Sequence, residues 1–230
     1  MPLPTKPPGA GERRAWFQRP LVPIGREPER ARDTARAMSE DNVEVIRGVR
    51  TTLSPPTDKA SGRRTLEERL GVRFPGLVRL LGKGLFRLPP RSRLRQAILA
   101  RSMTRAYAAA NRRDFELILT TNDPASYEYH PSTDYLPPDM ETVYYGHDGY
   151  RRFWRQWLDA FEDIRWDPEE MVDFGAKALV TARQSGHGSG SGVGVSKSVF
   201  QVFTFRGGLV IRQEDFLDRS EALEAAGLQE

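Results

Sequence analysis

Cysteine is absent from the chain. That excludes disulfides, thiolate nucleophiles and any zinc site built on cysteine. Histidine is nearly absent as well: there are three in 230 residues. His130, His147 and His187 have no metal-ligand spacing, so no metal site is expected. No apolar run reaches the roughly 18 residues a membrane-crossing helix needs. The opening residues Met1-Pro-Leu-Pro-Thr-Lys-Pro-Pro-Gly9 lack the apolar core of a secretory signal. A cytoplasmic protein is the expectation.

Acidic residues are scarce over one stretch only. Residues 1–62 carry 11 basic and 8 acidic groups, residues 63–113 carry 14 and 2, and residues 114–230 carry 10 and 21. The segments hold net charges of +3, +12 and −11, which leaves +4 for the chain. The basic middle therefore has an acidic partner within its own chain, and its charge does not call for nucleic acid.

Three regions follow from composition and pattern. Residues 1–37, rich in Pro, Arg and Gly, read as a disordered leader. Residues 38–98 read as a helical basic extension with a Pro-rich linker. Met38-Ser-Glu-Asp-Asn-Val resembles a protein start, with Ser39 as a helix cap, and predicts a helix over 39–53. The linker Ser54-Pro-Pro-Thr-Asp-Lys-Ala-Ser-Gly62 follows. Leu66, Leu70, Phe74, Leu77, Leu80, Leu81, Leu85, Phe86 and Leu88 then recur at helical spacing among basic residues over 65–88, with a break near Pro75-Gly76 and a stop at Pro89-Pro90. The expected fate of this stripe is packing on the C-terminal domain, with the arginines meeting its acidic surface. The alternative is a peripheral contact with an anionic membrane.

Residues 99–230 hold the third region. Its pattern predicts helices over 92–111, 114–121 and 150–164, and then strands over 166–174, 178–185, 196–205 and 209–217, with a short helix over 219–226. A short strand at 126–130 falls among the helices. The glycine-rich stretch from Gly186 to Gly194 reads as a hairpin turn. It lacks the Lys-Ser/Thr and the strand-then-helix context of a phosphate loop. Helices ahead of antiparallel strands make an α+β domain, with helices packed on one face of a curved sheet. In the last strand, alternation puts Leu209, Ile211, Gln213 and Asp215 on one face. A carboxylate behind apolar residues suits a strand that leaves a core and enters a pocket wall.

Several stretches, in this order, carry a resemblance. They are Ala106-Tyr-Ala-Ala-Ala-Asn-Arg-Arg-Asp-Phe115, Asp123-Pro-Ala-Ser-Tyr-Glu-Tyr-His130, Tyr145-Gly-His-Asp-Gly-Tyr-Arg-Arg-Phe-Trp154, Phe203-Thr-Phe-Arg-Gly-Gly-Leu-Val-Ile211 and Asp215-Phe-Leu-Asp-Arg-Ser-Glu-Ala-Leu-Glu-Ala-Ala-Gly227. Together they resemble the SnoaL-like branch of the nuclear transport factor 2-like superfamily. The resemblance implies a cone-shaped antiparallel sheet with three packed helices around one deep, mostly apolar pocket, often in a homodimer. Relatives of this kind include ketosteroid isomerases, polyketide cyclases, limonene epoxide hydrolases and many members with no known reaction. Fold alone therefore does not give function. A small apolar molecule is the implied partner, and no cofactor is implied.

The resemblance also points at residues. Asp215 in Gln213-Glu-Asp-Phe216 is similar to the catalytic aspartate of the epoxide hydrolases. Arg183 matches their arginine, while Ser185 stands in place of their second acid. That disfavours the epoxide triad but leaves an Arg183–Asp215 pair across the sheet. In ketosteroid isomerases the general base lies near Tyr129, and His130 offers an alternative base at a pKa near 6.5. Asp215 and His130 are thus the catalytic candidates. Tyr107, Tyr129, Trp154, Arg183 and Gln213 are the ligand-binding candidates. The competing reading is a non-catalytic binding or interaction module that docks through its basic amphipathic segment.

Overall fold

A computed structural model describes residues 48–54, 63–137, 139–160, 163–187 and 194–228. In chain order its elements are β1 (Val49–Thr52), α1 (Leu66–Arg73), α2 (Pro75–Leu85), α3 (Arg93–Asn111), α4 (Phe115–Leu119), β2 (Glu128–His130), β3 (Tyr144–Tyr145) and α5 (Gly146–Ala160), then β4 (Arg165–Asp173), β5 (Lys177–His187), β6 (Gly194–Arg206), β7 (Leu209–Phe216) and α6 (Arg219–Ala226). The seven strands form one unclosed sheet in the order β1-β4-β5-β6-β7-β2-β3. All neighbours run antiparallel except β2 and β7, which are parallel.

One expectation is overturned at the start of the sheet. A helix was expected over 39–53, but residues 49–52 form an edge strand paired with Glu170 to Asp173 of β4. Val49-Arg-Thr-Thr52 is rich in β-branched residues and alternates in burial, which suits a half-buried strand better than a helix. Residues 39–47, the leader 1–37 and most of the Pro-rich linker lie outside the described residues.

Local chemistry explains the other boundaries. Thr65 and Glu68 close a capping box at the start of α1, and Pro75 opens α2 at its first position. At the end of α3, Arg113 takes φ +64 and stops the helix, and Asp114 caps α4 by accepting from Leu117 N–H. Pro168, which has no N–H to give a ladder, sits beside a bulge at Glu169 in β4. β6 and β7 are joined by Gly207-Gly208 alone, both with positive φ, the backbone a two-residue hairpin demands.

The sheet is covered on both faces. On one, α3 and α5 bury Leu99, Met103, Tyr107, Phe153, Trp154 and Trp157 against Val180, Ala182 and Val210. On the other, α6 packs Ala222 and Ala226 on Leu179 and Val202. The β5 side chains thus split cleanly: even-numbered residues 178–184 face α3 and α5, and Leu179 faces α6.

A buried ion pair fastens α3 to the sheet. Arg95 Nε and Nη2 donate to the two oxygens of Asp173 at 2.7 and 2.8 Å. Both residues are at most 2% exposed. Arg95 also donates to the carbonyls of Leu88 and Gly175, while Asp173 accepts further from Gln96 Nε2 and Gly175 N–H. The remaining lone pairs and protons are thus used, the condition under which a buried charge pair is tolerated.

Candidate functional site

Between α3, α5 and the sheet lies a partly open cavity of about 60 Å³. A cavity needs about 10–15 Å³ to hold one water, so this one takes a few waters or a small organic molecule. Aromatic side chains occupy much of the cone: Tyr150, Phe153, Trp154 and Trp157 from α5, Trp166 from β4 and Phe203 from β6. Residues 65–88 do not line it.

Asp215 is the polar centre of this cavity. It is 6% exposed, and every carboxylate oxygen is occupied. Oδ1 accepts from Gln201 Nε2 at 2.8 Å and Gln213 Nε2 at 3.1 Å. Oδ2 accepts from the Tyr129 hydroxyl at 2.7 Å and from the Tyr135 hydroxyl at a long 3.4 Å. The glutamines are themselves oriented from behind. The Tyr107 hydroxyl donates to Gln201 Oε1, and the Tyr127 hydroxyl donates to Gln213 Oε1 at 3.2 Å. Each amide is therefore obliged to present its N–H side to the carboxylate.

Burial pushes the Asp215 carboxyl above its usual range, and the bonds from Tyr129, Gln201, Gln213 and Tyr135 pull against it without reversing the direction. The phenols of Tyr107, Tyr127, Tyr129 and Tyr135 are pushed well up, each first by burial, with the Asp215 charge next for Tyr107, Tyr129 and Tyr135 and behind Tyr150 for Tyr127. They are hydrogen-bond donors at any physiological pH.

Two further groups bear on this site, Trp154 in the cavity wall and Lys197 behind Tyr135. Trp154 Nε1 is buried beside the Tyr150 hydroxyl with no hydrogen-bond partner of good geometry. Lys197 lies on β6 across from Gln184, its Nζ 3.5 Å from the centre of the Tyr135 ring. Burial lowers Lys197 to about 8, and the charges of Asp215 and Asp134 oppose that shift.

The structure brings together Tyr107, Tyr129, Trp154, Gln213 and Asp215 of the residues singled out from sequence. It does not bring in His130 or Arg183. β2 pairs with β7 so that Tyr129 stands beside Gln213, which sends its neighbour His130 to the opposite face. There His130 Nε2 meets Glu128 at 3.1 Å. Arg183 is likewise on the far face of β5, exposed, and bonds to Glu169 at 2.8 Å. The Arg183–Asp215 pair expected across the sheet does not form. Ile211 also departs from its expected position. A bulge in β7 leaves it unpaired, so Val210, not Leu209 or Ile211, joins the core on the Asp215 face.

Sequence reasoning missed Gln201, Gln184, Tyr135, Tyr150 and Lys197. A signal existed for Gln201 as a lone amide inside Val199-Phe-Gln-Val-Phe203, but not for its position: the Gly207-Gly208 turn alone would set it opposite Glu214, and the bulge at Ile211 brings it opposite Asp215. None existed for Tyr135, which reaches the cavity from a loop. The remaining histidines are structural, with His147 Nε2 against the Asn122 carbonyl and His187 against Asp163. Among the described residues no cluster of potential metal ligands occurs.

Residues 103–213 match the family model of the SnoaL-like domain. Similar solved structures include an NTF2-like protein of unknown function from Burkholderia pseudomallei, at 21% identity and a TM-score of 0.47 over 54% of this chain and 93% of that one. They also include a SnoaL-like polyketide cyclase from Jannaschia, at 18% identity and a TM-score of 0.43 over 56% and 88%. A third is TerC co-crystallized with polyporic acid, at 22% identity and 0.47 over 56% and 95%. No curated protein matches the chain.

Proposed function

We propose that the cavity binds a small, largely apolar molecule carrying a hydroxyl or enolisable carbonyl, and that Asp215 exchanges a proton with it. The observation that carries this reading is the asymmetry of the Asp215 hydrogen bonds. Three donors hold it closely, while the fourth, Tyr135, comes from a loop and stands at 3.4 Å. A ligand hydroxyl that replaces Tyr135 gains a charge-assisted bond to Oδ2 and leaves the other three intact. Burial then helps, since a carboxyl raised toward neutrality is a better proton acceptor and donor pair at working pH.

The chain's own residues supply the rest. Trp154 Nε1–H offers a donor to a ligand carbonyl, and aromatic walls exclude water. An isomerisation or cyclisation that moves one proton through Asp215 fits these groups. The alternative reading is a binder without turnover, supported by the same fact that Asp215 has all four acceptor sites filled as it stands.

The test uses the tryptophans. Trp154, Trp157 and Trp166 line the cavity, so binding of apolar carbonyl compounds and lactones should change intrinsic fluorescence and raise the melting temperature. Asp215→Asn should abolish both responses for the compounds that bind. Compounds that bind the wild type and the variant equally would overturn the reading. Bound compounds recovered chemically unchanged after long incubation would decide for the binder.

A further inference from the structure

We infer that the outward stripe of α1 and α2 is a docking surface for an anionic lipid bilayer. The inference stands apart from the cavity and does not depend on its ligand. Its first support is exposure. Leu66, Leu70, Phe74, Leu77, Leu80 and Leu81 are 73, 47, 51, 50, 66 and 64% exposed. Packing of the stripe on the C-terminal domain was the expectation from sequence; Phe86 at its end does pack there, against Phe205, but these six residues do not. Several large apolar side chains exposed together on a folded domain mark an interaction surface.

The reason is that α2 docks by a different side. Gly82 lies against the β6–β7 hairpin so tightly that a Cβ there would stand 2.4 Å from the Gly208 carbonyl oxygen, and a Cβ on Gly208 would stand 2.2 Å from Gly82. Val78, Gly82 and Leu85, at i, i+4 and i+7, are the less exposed side of the helix. With that side committed, Leu77, Leu80 and Leu81 must point outward. At the other end, Arg64 bonds both oxygens of Asp114 at 2.6 and 2.7 Å, which fixes the approach to α1.

Charge selects the occupant. The two acidic residues of this segment are already neutralised, Glu67 by Arg101 and Arg105, Glu68 by Arg112. Among the described residues no carboxylate forms a close ion pair with Arg69, Arg73, Arg79, Lys83 or Arg87, all exposed, and Arg79 alone has an acidic neighbour, Asp123, within reach of its charge. A kinked pair of short helices with large apolar residues outward and unpaired cations beside them fits the headgroup–acyl boundary of an anionic bilayer. There the leucines enter the apolar layer and the long basic side chains reach the phosphates. A second copy meeting this one face to face would bring two such cationic segments together, which opposes association.

The experiment is co-sedimentation of the full chain with vesicles of phosphatidylcholine alone and of phosphatidylcholine mixed with phosphatidylglycerol. The expected result is pelleting with the mixed vesicles only, weakened by added salt. Leu77→Ser/Leu80→Ser/Leu81→Ser should weaken partitioning roughly tenfold or more, given the apolar area removed. Arg79→Ser/Lys83→Ser provides a second arm that leaves the apolar stripe intact, and should also weaken it. Equal pelleting of both variants and the wild type, or no pelleting of the wild type, would overturn the inference. So would a lipid-free dimer in size-exclusion chromatography that the leucine variant splits, since the stripe would then belong to a second copy.

Discussion

Asp215 is held by donors that differ in quality, and this orders what substitutions at each should do. The Tyr129 hydroxyl at 2.7 Å contributes most to keeping the carboxylate charged, and the Tyr135 hydroxyl at 3.4 Å contributes least. Tyr129→Phe should therefore raise the Asp215 titration midpoint further than Tyr135→Phe does, as read from its carboxyl ¹³C shift. Equal shifts would mean that the two bonds do not differ in solution as they do here. Lys197 gives a second prediction. Folded, it loses its proton near 8, and unfolded near 10.5. Between these values the unfolded chain holds more protons, so this group's contribution to stability grows as pH rises across the window. It is complete above 10.5 and lost as pH falls through 8. Lys197→Met should flatten that part of the denaturation-midpoint profile, and an unchanged slope would assign the pH dependence to other groups.

At the scale of elements, α3 depends on Arg95 and α2 on a glycine contact. Arg95→Met leaves Asp173 buried, charged and short of its principal partner. The expected loss is about 3–5 kcal/mol in chemical denaturation. Arg95→Met/Asp173→Leu should recover most of it, because no lone charge is then left inside. Gly208→Ala meets both a positive φ of 85° and the backbone of Gly82. It should cost more than about 1 kcal/mol and loosen α2 before the sheet, visible as faster hydrogen exchange in residues 75–85. The same elements show what the sequence made legible. Hairpin strands β5 to β7 and helix α6 were readable because glycine turns and caps punctuate them. The faces were not. In β5, Leu179 and Val180 are both apolar because α6 covers one side and the cavity helices the other, so alternation does not say which side holds Arg183. In β2 the pattern did speak: Tyr127 and Tyr129 alternate with Glu128 and His130, and adjacent residues cannot share a cavity. The bulge that leaves Ile211 unpaired had no signature at all.

Across the whole molecule, two surfaces carry the functional argument: an aromatic cavity around one buried carboxylate, and a cationic apolar stripe on α1 and α2. Among the described residues no helix is long and apolar enough to cross a membrane. The cavity's small volume means that a larger ligand has to displace the Tyr135 side chain, which meets Trp157 edge-on at 5.3 Å and carries Lys197 Nζ over its ring at 3.5 Å. Trp157→Ala should therefore admit bulkier compounds in the fluorescence assay, at a stability cost of about 3–5 kcal/mol for a truncated buried aromatic. The most direct measurement of the central claim is the Asp215 carboxyl ¹³C titration, recorded with and without a compound that binds. The account predicts a midpoint above the ordinary aspartate range that moves when the compound is added. An ordinary midpoint, untouched by every compound that binds, would contradict it.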